Sequence, residues 1–336
     1  MKSYKGKRVL LLCTASSIGG TERVVMLQAR GLNALGVETR TIIAESERTA
    51  ATLAWFESEG VEAESNPAVL DVHVPRSRED MIKLAQLVRG WRPDAVSLHY
   101  GVNHISIRDV LAIRYGRAKR LVVTVHHPSP LDEMSSRTHK ISRIASKLIT
   151  KLVCLTDALR NQMLTIGVSP GKIAQFTYAI PPPKTYPDRL QSRAKFGIPA
   201  DAFVVSSLAR IELEKGFREL LEAAALVPDP EGKLRVVIAG SGPALDEIRA
   251  LGKELLGDRA IITGRVDDPA EVYAASDVFA LPSYLEGFGL VYIEAAFHWL
   301  PSIGTNIGGI PEAIVDGETG LLVPVKDVPA TAEAIR

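Results

Sequence analysis

Cysteine is nearly missing from this chain. Its 336 residues hold two, Cys13 and Cys154, each inside a strand-like apolar run. Such a pair suggests no disulfide framework and is too few for a zinc site. Buried reduced thiols fit a cytoplasmic protein. Long apolar runs are missing too: nothing approaches the roughly 18 residues of a membrane span. Lys2, Lys5, Lys7 and Arg8 precede a short apolar run as in a signal peptide, but the run stops at Cys13 and Thr14, Ser16 and Ser17 follow. That is too short for a signal sequence. His73, His99, His104, His139 and His298 show no metal-ligand spacing. Net charge is almost absent, at +1, and no nucleic-acid partner is expected. The balance hides an asymmetry. Residues 1–180 carry 25 Lys and Arg against 16 Asp and Glu, whereas residues 181–336 carry 15 against 23. Either two oppositely charged domains attract across a cleft, or nothing follows from the asymmetry, or the basic half faces an anionic acceptor or membrane surface.

What is present is ample apolar material, 46% of residues, which argues for sizeable cores and against disorder. The length suggests two domains. In the first half, short apolar strands alternate with helical patterns: strands at Arg8–Cys13, Thr39–Ala44, Ala95–Leu98, Leu121–Val125 and Leu152–Leu155, and helices at Thr21–Leu35, Met81–Val88 and Ser135–Ile149. This beat implies a parallel sheet covered on both faces. Tyr178–Pro187 holds four prolines and reads as a linker. The alternation resumes through Phe203–Ser207, Phe217–Leu226, Leu234–Ala239, Leu245–Glu254, Ala260–Thr263, Ala270–Ala275, Val278–Leu281 and Leu290–His298. The expected fold class is α/β, with two doubly wound domains, 1–180 and 181–336, facing a central cleft where ligands bind beyond the strands' carboxyl ends.

The richest stretch runs from Ala275 to Pro324. It places Glu286 and Glu294 around the turn Gly287-Phe288-Gly289, with a strand before and a helix after, opening at Leu290 and Val291. A strand that empties into a glycine turn and then a helix leaves N–H groups without partners, and those groups and the helix dipole favour an anion. Carboxylates beside them accept from hydroxyls. A ligand with phosphates and hydroxyls together, such as a nucleotide sugar, suits both. Gly240 and Gly242 form a second strand-to-helix turn. Leu245 stands at the third glycine position of G-x-G-x-x-G, so the dinucleotide fingerprint fails.

The ordered set E-x7-E opened by EGFG, followed by GG-x-PE and G-x-TG-LLV, resembles the signature of glycosyltransferase family 4. Upstream, Arg210 and Lys215 in SLARIELEKGF, the IAGSGP turn and ITGRV at Ile262–Val266 fit the same family. Gly19-Gly20-Thr21-Glu22 resembles its glycine-rich first turn, and Thr124–His126 its TVH. The resemblance is close through the C-terminal half and sparse in the N-terminal half.

The resemblance implies a metal-independent, retaining hexosyltransferase of GT-B fold, in polysaccharide or cell-envelope biosynthesis, with an acceptor domain first and a nucleotide-sugar domain second. Rival expectations are a catalytically silent nucleotide-sugar binding module and a GT-B epimerase. Catalytic roles fall to His126, Glu286, Arg210 and Lys215. Arg210 and Lys215 would stabilise the departing diphosphate, Glu286 would hold sugar hydroxyls and Glu294 ribose hydroxyls. Gly19, Gly20, Gly240, Gly242, Arg265, Val266, Phe288, Gly289, Leu290 and Val291 complete the donor site. His126 and His127 are expected to point into the cleft; His127 departs from the family, which often has a carboxylate there. Asp267-Asp268 is not the D-x-D of metal-dependent transferases. The chain ends inside a helix at Ala330–Arg336, and the resemblance implies further C-terminal helices. Arg137, Lys140, Arg143, Lys147 and Lys151 recur at three and four, opposite Ile141, Ile144, Leu148 and Ile149. This predicts a basic amphipathic helix that touches an anionic acceptor or the inner face of the membrane, or a core helix with a solvated face.

Overall fold

The computed structural model describes residues 4–15, 19–71, 74–101, 105–127, 136–177, 179–183 and 185–336. Lys2, Ser16, Ser17, His73, His104, Ser135 and Tyr178, discussed above, lie outside them. The chain divides into two compact units, Met1–Tyr178 and Ala179–Arg336.

In the first unit β1 (Arg8–Cys13), α1 (Gly20–Ala34), β2 (Glu38–Ile43), α2 (Thr49–Ser58), β3 (Ala63–Ser65), α3 (Arg78–Trp91), β4 (Ala95–Tyr100), α4 (Ile107–Tyr115), β5 (Arg120–Val125), α5 (Ser136–Leu148), β6 (Lys151–Cys154), α6 (Asp157–Thr165) and β7 (Ile173–Gln175) follow in order. The strands form one parallel sheet, ordered β3-β2-β1-β4-β5-β6-β7. Side chains alternate across a strand, and β1 shows the result: Leu10 and Leu12 enter one core with Leu98, Val123 and Leu152, while Leu11 and Cys13 enter another with Val25, Ile43 and Phe56. Helix starts are written locally. Ser77 and Asp80 form a capping box on α3, Ser106 caps α4 and Thr156 caps α6, each satisfying a backbone N–H that the first turn leaves over.

The second unit contains α7 (Arg189–Lys195), β8 (Phe203–Leu208), α8 (Phe217–Leu226), β9 (Leu234–Ala239), α9 (Leu245–Leu256), β10 (Ala260–Gly264), α10 (Pro269–Ala275), β11 (Val278–Leu281), α11 (Leu290–Phe297), β12 (Ser302–Thr305), α12 (Ile310–Ala313), β13 (Gly320–Val323) and α13 (Val328–Ile335). Its parallel sheet is ordered β10-β9-β8-β11-β12-β13. Buried Arg193 fastens α7 to this sheet: it donates to Ala275 O and, at 2.8 Å, to Asp277, whose carboxylate also accepts from Val204 N. In both sheets the strand order reverses once, between β1 and β4 and between β8 and β11. Ligands of doubly wound sheets bind at the carboxyl ends of the strands at such a reversal.

Two expectations need correction. In α5 the buried face is Ser142, Ala145 and Ser146 with Ile149 beyond its end; Ile144 is 53% exposed and Leu148 37% exposed. Ile144 and Leu148 therefore lie beside the cations, whereas Ile141 is half-buried and Ile149 buried. Lys151 has left the helix, opens β6 and donates to Gly171 O at 2.8 Å. Burial pushes the Cys154 thiol up to about 12 and raises Cys13 as well, with Glu22 adding to the effect. Both thiols stay protonated and inert.

Candidate functional site

In the second unit four loops meet at the carboxyl ends of β8, β9, β10 and β11. The loop after β8 lies on the glycine turn after β9: Ile211 N–H donates to Ser241 O at 3.0 Å, and Ile211 O accepts from Ala244 N–H at 3.2 Å. Glycine is what permits this approach. A Cβ on Gly242 would lie 2.1 Å from Ile211 O, and one on Gly240, at φ +144°, would lie 1.9 Å from Ala209 O. Gly240 N–H donates to Gly264 O at 2.8 Å, which brings in β10. Beyond it Arg265 is exposed and Val266 half-buried.

The same β8 loop closes on the β11 loop. Tyr284 N–H donates to Glu214 O at 2.7 Å, and a Cβ on Gly216, at φ +71°, would lie 2.0 Å from Pro282 O. The consequence is a side-chain pair that no local sequence pattern joins: Lys215 Nζ sits 2.8 Å from Glu286 Oε2, with side chains 14% and 11% exposed. Arg210 remains on the surface and pairs with Glu212 at 3.0 Å. The expected basic pair therefore divides, one member turned toward a site carboxylate and one toward solvent.

Phe288 is buried, and Gly289, at φ +81°, is the N-cap of α11. A Cβ there would lie 2.5 Å from the Tyr292 ring, so this turn also requires glycine. Leu290 and Val291 open the helix, whose first turn directs N–H groups outward. Glu294, half-buried on α11, accepts from the Tyr273 hydroxyl at 2.8 Å. Tyr273 stacks on His298 at 5.4 Å. Burial lowers the His298 pKa, so that ring is neutral at neutral pH. Tyr273 carried no motif; the signal for it was the need of a half-buried carboxylate for a partner.

In the first unit Gly19 is the N-cap of α1 with extended backbone, φ −160°, and Gly20 opens the helix with nothing within 4 Å of a Cβ. Neither glycine takes a left-handed conformation, so the turn does not need glycine for its shape. Glu22 is 2% exposed. His126 follows β5, and here the expectation of an open position is corrected: it is 1% exposed, with Nε2 3.1 Å from Nδ1 of His99. His99 Nε2 in turn lies 2.8 Å from Gln28 Oε1 and 3.0 Å from Ser97 Oγ. Burial lowers the His99 pKa to about 3. Burial, then the charges of His99 and His127, hold His126 well below the usual range. Both rings are neutral at neutral pH. Among the described residues no group of three or more His, Cys, Asp or Glu could hold a metal ion. No described helix is long and apolar enough to cross a membrane.

Comparison with known proteins gives the same division of the chain. Residues 18–176 match the model of Glycosyltransferase Family 4, and residues 188–336 match that of glycosyl transferases group 1. N-acetyl-alpha-D-glucosaminyl L-malate synthase of Bacillus anthracis is 29% identical over 257 residues, 75% of this chain and 66% of that protein. D-inositol 3-phosphate glycosyltransferase of Corynebacterium efficiens is 40% identical over 154 residues, 43% of this chain and 36% of that protein. The aligned part is thus less than two thirds of either relative's length. Among solved structures, Anabaena HepE in complex with UDP and glucose superposes with a TM-score of 0.83 at 18% identity, covering 98% of this chain and 89% of that one. Sucrose-phosphate synthase from Thermosynechococcus elongatus gives 0.77 at 21% identity, with 98% and 88% covered. The two parallel Rossmann-like sheets are those of the GT-B fold. With one half matched by each model, the chain belongs to glycosyltransferase family 4.

Proposed function

We propose that the chain transfers a sugar from a nucleoside diphosphate sugar to a hydroxyl acceptor, with retention and without a metal ion. The Lys215–Glu286 pair at the β8/β11 reversal, beside the start of α11, is the observation that supports this most. It offers one cation for a diphosphate and one carboxylate for sugar hydroxyls at the place where a doubly wound sheet takes its ligand. In the reaction the bond from the anomeric carbon to the β-phosphate oxygen breaks, and a bond to the acceptor oxygen forms on the same face. The acceptor's proton passes to the departing phosphate oxygen. Lys215, Arg210 and the α11 N-terminus stabilise the charge that grows on that leaving group. Glu294 accepts from ribose hydroxyls. The relatives' names join a sugar with malate and with inositol 3-phosphate, and a neighbour holds UDP and glucose; these support the donor class and a hydroxyl acceptor. The test incubates the chain with UDP-, GDP- and ADP-sugars and candidate acceptors and follows the anomeric configuration of the product. Binding without turnover would leave a silent module. A donor returned with altered sugar stereochemistry would make it an epimerase. An inverted product would overturn retention.

A glycan or lipid-linked glycan is the acceptor class we assign, and α5 supports peripheral contact with anionic lipid. Arg137, Lys140, Arg143 and Lys147 are exposed beside Ile144 and Leu148, and neighbouring α4 exposes Leu111 (43%) and Tyr115 (72%). Cations beside exposed apolar side chains suit a lipid interface. Each basic residue near such a surface contributes on the order of 1 kcal/mol, screened beyond about 10 Å at 0.1 M salt. Co-sedimentation with anionic vesicles at low salt, lost in neutral vesicles and in the Lys140→Gln, Arg143→Gln, Lys147→Gln variant, is the expected result. Equal sedimentation of the two proteins would reduce the stripe to a solvated face.

A further inference from the structure

The loop after β11 carries a side chain that no role above uses. Tyr284 stands two residues before Glu286, and its backbone N–H donates to the oxygen of Glu214, the neighbour of Lys215. Both members of the Lys215–Glu286 pair thus lie within two residues of this one bond. The Tyr284 side chain is tied down twice more. Its hydroxyl donates to Oε1 of Glu219, in the first turn of α8. Glu219 is 8% exposed, and its Oε2 has no hydrogen-bond partner among the described residues. A buried carboxylate with so few donors is costly to strip further, so the Tyr284 bond is held firmly. Burial, then the bond to Glu219 and the charge behind it, raise the Tyr284 pKa; the phenol stays protonated and remains a donor. Over the ring lies Lys326 Nζ, 4.6 Å from the centroid, within cation–π range. Lys326 holds φ +61°, a left-handed conformation that costs an L residue energy and that glycine takes freely. The residue before Tyr284 is fixed as well: Ser283 O accepts from the Thr305 hydroxyl at 2.5 Å. Two adjacent residues therefore anchor the β11 loop to the β8 loop, α8, β12 and the loop after β13.

We propose that Tyr284 is a positioning residue: its hydroxyl, braced on Glu219, holds Glu286 against Lys215 so that the pair meets the departing diphosphate already aligned. The part played in transfer rests on the glycosyl-transfer reading; the brace does not. A cation stabilises charge growing on a leaving group best when it is in place beforehand. Misplacing a reacting group by about 1 Å can cost on the order of 100-fold in rate. Ground-state binding of the donor is spread over many contacts and feels the same displacement less.

The test deletes one hydroxyl. Tyr284→Phe keeps the ring under Lys326 and the backbone N–H. It should lower kcat on the order of 10-fold while donor KM stays within about twofold. Glu219→Leu should do the same, and the double variant should be no worse than either single one, because both remove the same bond. Glu219→Gln keeps an acceptor oxygen for the hydroxyl and should keep most of kcat. If Glu219→Leu does not fold, Tyr284→Phe set against Glu219→Gln makes the same comparison. The brace is also read without turnover, by a double-mutant cycle in urea: the stability losses of Tyr284→Phe and Lys215→Met should be non-additive, since each loosens the same loop. Unchanged kcat in Tyr284→Phe would overturn the proposal. So would a Glu219→Gln variant as slow as Tyr284→Phe, or additive losses in urea, either of which would leave Tyr284 a structural residue only. A wild type that transfers no sugar while the urea cycle is non-additive would sink the glycosyl-transfer reading and leave the brace standing.

Discussion

Lys215 and Glu286 hold each other at 2.8 Å while still 14% and 11% exposed, and this arrangement predicts how substitutions at the site divide between binding and turnover. The ammonium is already charge-compensated before a donor arrives. Its contribution therefore grows when the diphosphate departs and negative charge rises beside it. Lys215→Ala is expected to lower kcat by more than it weakens donor affinity. Steady-state kinetics against titration calorimetry would show it, and equal losses in affinity with normal kcat would assign Lys215 to uniform binding. Glu294 behaves differently. Its carboxylate accepts from the Tyr273 hydroxyl at 2.8 Å, and a carboxylate can accept from several donors at once. Glu294→Ala should cost about 1.5–3 kcal/mol of binding, and free nucleoside diphosphate should lose as much as the nucleotide sugar. Unchanged affinity for both in a folded variant would make Glu294 structural. Gly242 tests the scaffold itself. Its Cβ would lie 2.1 Å from a backbone oxygen, which no side-chain rotation relieves. Gly242→Ala should destabilise by roughly 1–3 kcal/mol and weaken the nucleotide site with it; a variant as stable as wild type in urea would show that the two loops do not need their contact.

Two buried histidines, His99 on β4 and His126 just after β5, make the first unit sensitive to acid. His99 titrates near 3 when folded and near 6.5 as a free side chain; His126 is displaced in the same direction. The unfolded chain therefore takes protons that the folded chain refuses. Stability is complete above about pH 6.5 and falls as pH drops toward 3, by up to about 1.4 kcal/mol per pH unit for each ring. Urea midpoints at pH 7.5, 6 and 5 should decline in the wild type and decline less in His99→Asn. Parallel declines would place the acid sensitivity elsewhere. Most elements near the reactive loops were legible, because an all-parallel sheet covered on both faces leaves unbroken apolar runs such as VLLLC and LVVTV. Others were not. Strands β3 and β7 are three residues each, too short for any periodicity. Helix α2, TAATLAWFES, buries only Thr52 and Phe56, so no apolar stripe announces it. In α5 the pattern was legible but its polarity was misread: small residues Ser142, Ala145 and Ser146 occupy the buried face, and close packing against neighbouring elements favours small side chains over the isoleucines that hydropathy alone would bury.

Across the whole molecule, legibility follows how locally a site is encoded. Arg210, Lys215, Gly240, Gly242, Glu286, Gly289 and Glu294 all sit on the loops after β8, β9 and β11 or on the helix that follows, so short motifs reveal them. The Gln28–His99 contact spans 71 residues and no spacing rule reaches it. The same distinction bears on the metal question. A donor site built from Lys215, Arg210 and the start of α11 has its counter-charge in covalent form. Donor binding should therefore persist in EDTA and gain nothing from Mg²⁺ or Mn²⁺. The measurement is a thermal shift with UDP-, GDP- and ADP-sugars after chelation. A donor at 100 times its dissociation constant stabilises by roughly 2.7 kcal/mol, which for a unit of this size raises Tm by roughly 5–10 °C. Binding to the second unit should move the transition that Gly242→Ala also moves, since the glycine turn belongs to the same loops. A shift that vanishes in EDTA and returns with a divalent ion would overturn metal independence while leaving the donor class in place. No shift with any of the three donors, in a chain that melts cooperatively, would overturn the donor class itself.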